Sequence, residues 1–140
     1  AGTPHEDITL GGGQKLRSVG KLSLESYAQL LRKTAIGLGL MVSPHPSYPP
    51  LEMAHFGARV LTNSYTDKDP SAFHGNLLVL DGVRADEIAT AVEREICAFE
   101  ADPARGLAGE SRMRGFLGPE SFECAGVLAD DIATALGATV

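Results

Sequence analysis

Basic residues are scarce in this chain: twelve Lys and Arg stand against 18 Asp and Glu, a formal net charge of −6. Such a balance opposes binding to a phosphate backbone by the surface as a whole, which excludes nucleic acid as a general partner. Long apolar runs are missing too. None approaches the roughly 18 residues of a membrane-spanning helix, and the N-terminus lacks the basic start and apolar stretch of a signal peptide. Cysteine occurs only twice, at Cys97 in a helical pattern and Cys124 in a Gly-rich region. Two such different settings point to reduced thiols and not to a disulfide framework. His5, His45, His55 and His74 show no zinc-ligand spacing, so no metal site is expected. The chain is expected in the cytoplasm, with peripheral attachment to the inner membrane surface left open. Its opening, Ala1-Gly2-Thr3-Pro4-His5, has the polar texture of a segment cut from inside a longer polypeptide.

What is present is enough for one compact domain: 140 residues, 44% of them apolar. Gln14 to Val19 has the weak alternation of a short edge strand after the Gly11-Gly12-Gly13 turn. Ser23 is a good N-cap for an amphipathic helix in which Leu24, Tyr27, Ala28, Leu30 and Leu31 form a core-facing stripe. Ile36 to Val42 is almost entirely apolar or Gly, as in a parallel strand buried on both faces. Arg59 to Asn63 and Asn76 to Leu80 are further strands, separated by a polar loop from Ser64 to Gly75. After the Asp81-Gly82 turn, a long helix shows Ala85, Ile88, Ala89, Val92, Ile96 and Phe99 on one face. Strands alternating with helices imply βαβ units and a parallel sheet. Ala101 to Gly118 reads as a linker or mobile loop, and a short helix is expected from about Ala129 to Leu136.

The segment between the first parallel strand and the next carries the chemistry. Ser43-Pro44-His45-Pro46-Ser47-Tyr48-Pro49-Pro50-Leu51-Glu52-Met53-Ala54-His55-Phe56-Gly57 holds four prolines within seven residues. Each ring fixes φ near −65° and removes an N–H, so the corner is rigid before a ligand arrives. Ser47 is a candidate N-cap, Pro49 sits where a first helical turn tolerates proline, and the helix N-terminus favours an anion. Glu52 emerges one turn further along.

These residues resemble the donor-binding half of GT-B glycosyltransferases of family 4, in particular the bacterial rhamnosyltransferase-like members that act on surface glycans. The likeness runs from about Arg17 to Phe99. Pro49, Leu51, Glu52, Ala54 and Gly57 fall in register with the second half of the family's Glu, seven residues, Glu motif, while Pro44 stands where the first Glu belongs. Gly20-Lys21-Leu22 matches the Gly-Lys-Leu that precedes the helix in the rhamnosyltransferase branch.

The resemblance implies an α/β, three-layer Rossmann-like domain with a parallel sheet, the C-terminal half of a GT-B fold. Residues 1–100 would form the nucleotide-sugar donor-binding domain, and 101–140 a Gly-rich linker and short helix packed on it. Glu52 would accept hydrogen bonds from the pentose hydroxyls. Lys21 would neutralise diphosphate charge and stabilise the leaving group. Pro46, Ser47 and Tyr48 would line the phosphates, and His45 would project toward the sugar. Lys21 and His45 are thus the catalytic candidates. The resemblance also implies a dTDP- or UDP-sugar donor, best read as dTDP-rhamnose, a glycan acceptor, and an N-terminal acceptor-binding domain outside this chain. It further implies metal-independent transfer, with the chain binding donor but not turning over alone.

Two further residues come from position alone: Asn63 at its strand's end, and Lys68 on the loop that follows, at the carboxyl edge where open α/β sheets bind ligands. Gly11-Gly12-Gly13-Gln14-Lys15 lacks phosphate-loop spacing and reads as a turn. Arg105, Arg112 and Arg114 read as a solvated linker cluster. Two other functions fit the same architecture, a non-catalytic flavodoxin-like scaffold or regulatory domain, and a nucleotide-sugar epimerase.

Overall fold

Arg59 to Asn63 is the pivot of the molecule: its three central residues Val60, Leu61 and Thr62 are wholly buried. The computed structural model describes residues 3–42, 47–64, 69–112 and 123–135. An antiparallel ribbon comes first, β1 (Ile8–Thr9) with β2 (Lys15–Leu16). It is followed by α1 (Leu24–Leu31), β3 (Ile36–Gly39), α2 (Tyr48–His55), β4 (Arg59–Asn63), β5 (Leu77–Leu80), α3 (Ala85–Ala101) and α4 (Glu123–Ala135). Short 3₁₀ turns occupy Gly11–Gly13, Pro70–Ala72 and Arg105–Ala108.

β3, β4 and β5 form a parallel sheet in that order, with Val60 paired to Gly37 on one side and to Leu77 on the other. Side chains alternate across a strand, so adjacent residues feed opposite faces. Val60 and Leu77 pack with Ala54, Ala58, Leu51 and Met53 beneath α2, whereas Leu61 and Leu80 pack with Leu78, Ala91, Ile88 and Val92 beneath α3. Helix, sheet and helix make the three layers that a buried parallel sheet requires. This is an α/β fold consistent with the Rossmann-like C-terminal half of a GT-B protein.

β3 shows why its two glycines are needed. A Cβ on Gly37 would come within 2.6 Å of Met53 Sδ, and one on Gly39 within 2.7 Å of Pro50 Cγ. Both glycines let α2 approach the strand closely, and this brings Pro50 and Met53 down onto the sheet. The strand is shorter than the apolar run Ile36 to Val42 suggests, and it is not buried on both faces: Leu38 is 48% exposed and Val42 91%. β3 lies at one end of the sheet with a single partner strand, so among the described residues no strand pairs with its outer edge.

The stripe on α1 differs from expectation for a related reason. Leu31 is buried, but Leu24 is 83% exposed and Leu30 37%, because three short strands offer area for α2 and α3 and little more. Residues 102–112 lie against the amino end of the sheet, where buried Asn76 donates from Nδ2 to the carbonyl of Gly106 (2.7 Å) and to that of Ala54 (3.1 Å). Arg112 donates to the carbonyl of Ser71 at 3.1 Å. α4 begins earlier than expected, at Glu123. Cys97 is an exposed free thiol. Among the described residues, no helix is long and apolar enough to cross a membrane.

The same corner holds a pH-sensitive contact. His74 is 4% exposed, and its Nδ1 accepts from the backbone N–H of Asn76 at 3.0 Å, a bond that needs the neutral ring. Burial, then the charges of His55 and Arg112, hold its pKa below the ordinary value of 6.5. The unfolded chain therefore takes up a proton that the folded one refuses, and stability falls as pH drops through about 6.5 toward the folded value. Melting followed from about pH 7.5 to pH 5 should show this decline, and His74→Gln should flatten it. An unchanged slope in the variant would assign the decline to other groups.

Candidate functional site

Two helix starts meet at the carboxyl edge of the sheet. α1 leads into the amino end of β3 and α2 leaves from its carboxyl end, so both N-termini lie on the same side of the molecule. Gly20 turns the chain into α1 with φ +59°, a backbone that L side chains rarely adopt. This turn sets exposed Lys21 immediately before the helix. Ser23 then caps α1, its Oγ accepting from the N–H of Ser26 at 3.2 Å.

Lys21, Leu22, Ser23 and Tyr27 from this side join Pro49 and Glu52 from α2 around an open cleft of about 320 Å³. The Tyr27 hydroxyl crosses it to donate to Glu52 Oε2 at 2.9 Å. Burial, then the hydrogen bond to Glu52 and its charge, push the phenol up to about 12. Tyr27 therefore stays protonated and remains a donor at any pH where the chain would work. Cleft and hydrogen bond together set a cation, a fixed carboxylate and a proline-braced helix start around one space.

At the start of α2, Ser47 occupies the N-cap position with extended backbone (φ −88°, ψ 125°), but its side chain makes no cap hydrogen bond. The two residues after Tyr48 are prolines without N–H groups. The amides of Ser47 and Tyr48 are thus the ones at this end that lie outside the helical ladder. The Tyr48 side chain is 68% exposed. Asn63 serves the chain itself: its Oδ1 accepts from the N–H of Met41 at 2.7 Å, and its Nδ2 donates to the carbonyls of Met41 (2.8 Å) and Ser64 (3.0 Å). One Nδ2 bond clamps the segment after β3 at Met41 and the other holds the neighbouring Ser64 carbonyl, which leaves no side-chain N–H for a ligand. Ser43, Pro44, His45, Pro46 and Lys68 lie outside the described residues.

Tyr27 is the cleft residue that sequence reasoning assigned to the core. Its spacing with Leu24, Leu30 and Leu31 fits an apolar stripe, but a tyrosine in such a stripe still needs a partner for its hydroxyl, and that is the signal it carried.

A second cleft, of about 210 Å³, opens at the opposite, amino edge of the sheet beside Arg32, Lys33, Arg59, Arg105 and Phe99. Its cations stand where α1 and α3 end, with Arg32 and Asp102 as the C-caps of those helices. Lys and Arg are favourable at the negative end of a helix dipole, and the buried Glu95 carboxylate also faces Arg59 and Arg105. Helix ends and Glu95 account for these charges, so the carboxyl-edge cleft is the stronger site.

Comparison with known families places the chain in context. Residues 1–93 match the family model described as WsaF, C-terminal domain. No curated protein matches the chain.

Proposed function

This chain belongs to the WsaF C-terminal-domain family, a C-terminal domain of the GT-B glycosyltransferase class, and on that premise we propose that its carboxyl-edge cleft binds a nucleoside diphosphate sugar. The observation that carries the reading is the cleft shared by Lys21 and Glu52. A diphosphate needs cationic and N–H partners, and a pentose offers hydroxyl donors. The cleft supplies Lys21 before one helix and Glu52 on the other, and the amides of Ser47 and Tyr48 stand at the start of that second helix, next to Pro49 of the lining.

In this reading the phosphates lie by Lys21 and the α2 N-terminus, where the macrodipole favours negative charge. Negative charge grows on the phosphate oxygens as the bond to the sugar breaks, so Lys21 contributes more in the transition state than in the ground state. The reading uses these groups and no resident metal. Glu52 orients the donor through its pentose, at a distance from the reacting bond. Rhamnose carried on dTDP is the preferred donor, a surface glycan the acceptor, and a second domain the other wall of the cleft.

Calorimetry of the chain with dTDP and UDP tests the site. Binding of either nucleotide in the micromolar to low millimolar range, weakened about tenfold or more by Lys21→Ala, is the expected result. If neither nucleotide binds the chain or a longer protein that contains it, the donor-site reading fails.

A further inference from the structure

Glu52 is a surface carboxylate on an eight-residue helix, and by itself it would sample many rotamers. It does not stand by itself. We infer that Tyr27 is a positioning residue for the nucleotide site: its hydroxyl holds Oε2 of Glu52 so that the other carboxylate oxygen is presented to the pentose. The inference rests on the proposed donor site and adds to it a residue that the strand-corner-helix motif does not contain.

Three observations support it. Tyr27 and Glu52 come from different helices, and both line the same cleft, so the bond lies in the site and not behind it. Tyr27 is part-buried while Glu52 is exposed, which makes the phenol the fixed partner and the carboxylate the one that is held. Among the described residues, the Tyr27 hydroxyl is the only hydrogen-bond partner Glu52 has through its side chain. Among the described residues, its other carboxylate oxygen has no hydrogen-bond partner.

The geometry has an energetic consequence. A glutamate that must be ordered on binding loses rotamer freedom at that moment, which reduces affinity. With Tyr27 in place much of that ordering has already occurred on folding, and removal of the hydroxyl returns the cost to the binding step. The phenol donates at neutral pH and does not compete with a pentose hydroxyl for the donor role. A staple between α1 and α2 that serves stability alone would predict something different, a lower melting temperature with nucleotide affinity intact.

The test is Tyr27→Phe, which keeps the ring and removes one oxygen. Binding of dTDP, UDP and inorganic pyrophosphate to the full chain is measured by calorimetry, with thermal melting alongside. For whichever nucleotide binds the unsubstituted chain, the expected result is a dissociation constant raised about five- to tenfold. Pyrophosphate, which has no pentose, should change by less than about twofold, and melting by only a few degrees. In a Glu52→Ala background, Tyr27→Phe should cause no further loss. Nucleotide affinity that is unchanged by Tyr27→Phe but reduced by Glu52→Ala overturns the positioning role and leaves the donor site standing. Equal loss of pyrophosphate and nucleotide also overturns it, by indicating a general disturbance of the cleft. Absence of nucleotide binding in the unsubstituted chain overturns the donor site, and the positioning role with it.

Discussion

Glu52→Ala is expected to raise the dissociation constant of a nucleoside diphosphate about 30- to 100-fold, or about 2 to 2.7 kcal/mol, while inorganic pyrophosphate keeps its affinity within about twofold. The size follows from the kind of bond removed. A hydrogen bond to a charged acceptor contributes about 1.5–3 kcal/mol, and a pentose hydroxyl left without its acceptor in the cleft gains nothing in return. The selectivity follows from position. Glu52 lies a full turn beyond the amides of Ser47 and Tyr48, so its loss should reach the pentose and spare the phosphates. Lys21→Ala should behave in the opposite sense and weaken both ligands, because its charge addresses the diphosphate. The contrast between the two variants is more informative than either alone. A scaffold domain would show no nucleotide loss in either, and a nonspecific anion patch would respond to Lys21 and ignore Glu52. Equal effects of Glu52→Ala on nucleotide and pyrophosphate would sink the division of labour.

The unit from β3 through α2 to β4 was readable in the sequence because each part carries a local cause. Ile36 to Leu40 is apolar, the prolines forbid helix until Tyr48, and Gly57, with φ +94°, takes over where α2 ends. Less readable was how far each element would be covered. Leu24, Leu30 and Leu38 have the pattern of core residues, but coverage depends on how many strands and helices stand beside them, which periodicity does not encode. The packing of the segment after Ala101 is hard to read for a similar reason. Its glycines look like a linker, yet a Cβ on Gly109 would collide with the Asn76 side chain, and one on Gly106 with the backbone carbonyl of Gly57. Small residues there allow close approach and do not mark freedom.

Of the candidate cleft, Lys21 and Glu52 are legible in the sequence and the fold brings them together, whereas Tyr27 is not, because its bond to Glu52 depends on a contact between two helices. Asn63 illustrates the converse. Position at a strand's carboxyl end suggests a ligand contact, but a side-chain amide there also suits the unpaired backbone that follows a strand, and Met41 and Ser64 use it in that way.

Glu95 was overlooked in the α3 pattern, although it stands three residues after Val92 and four after Ala91, within the buried stripe. Its side chain is 3% exposed. Arg59 Nε lies 3.4 Å from Oε2, Arg105 Nη1 3.5 Å from Oε2, and Arg94 Nε 3.7 Å from Oε1. Glu95→Ala is therefore expected to lower stability by about 3 kcal/mol and the melting temperature by about 10 °C. Nearly all of that effect comes from Arg59, whose side chain is 15% exposed and loses its counter-charge while still tied to the carbonyl of Gly75 at 3.0 Å. Arg94 and Arg105 are 65% and 40% exposed, so water replaces most of what they lose. Added salt should consequently change the difference between variant and parent only slightly. Because the penalty is that of an unpaired charge, replacing both partners, as in Arg59→Met with Glu95→Leu, should be less damaging than Glu95→Ala alone. A melting change below about 2 °C for Glu95→Ala, or a double variant worse than the single ones combined, would show that α3 is held to β4 by the apolar contacts of Leu61, Ile88 and Ala91 with little help from this ion pair.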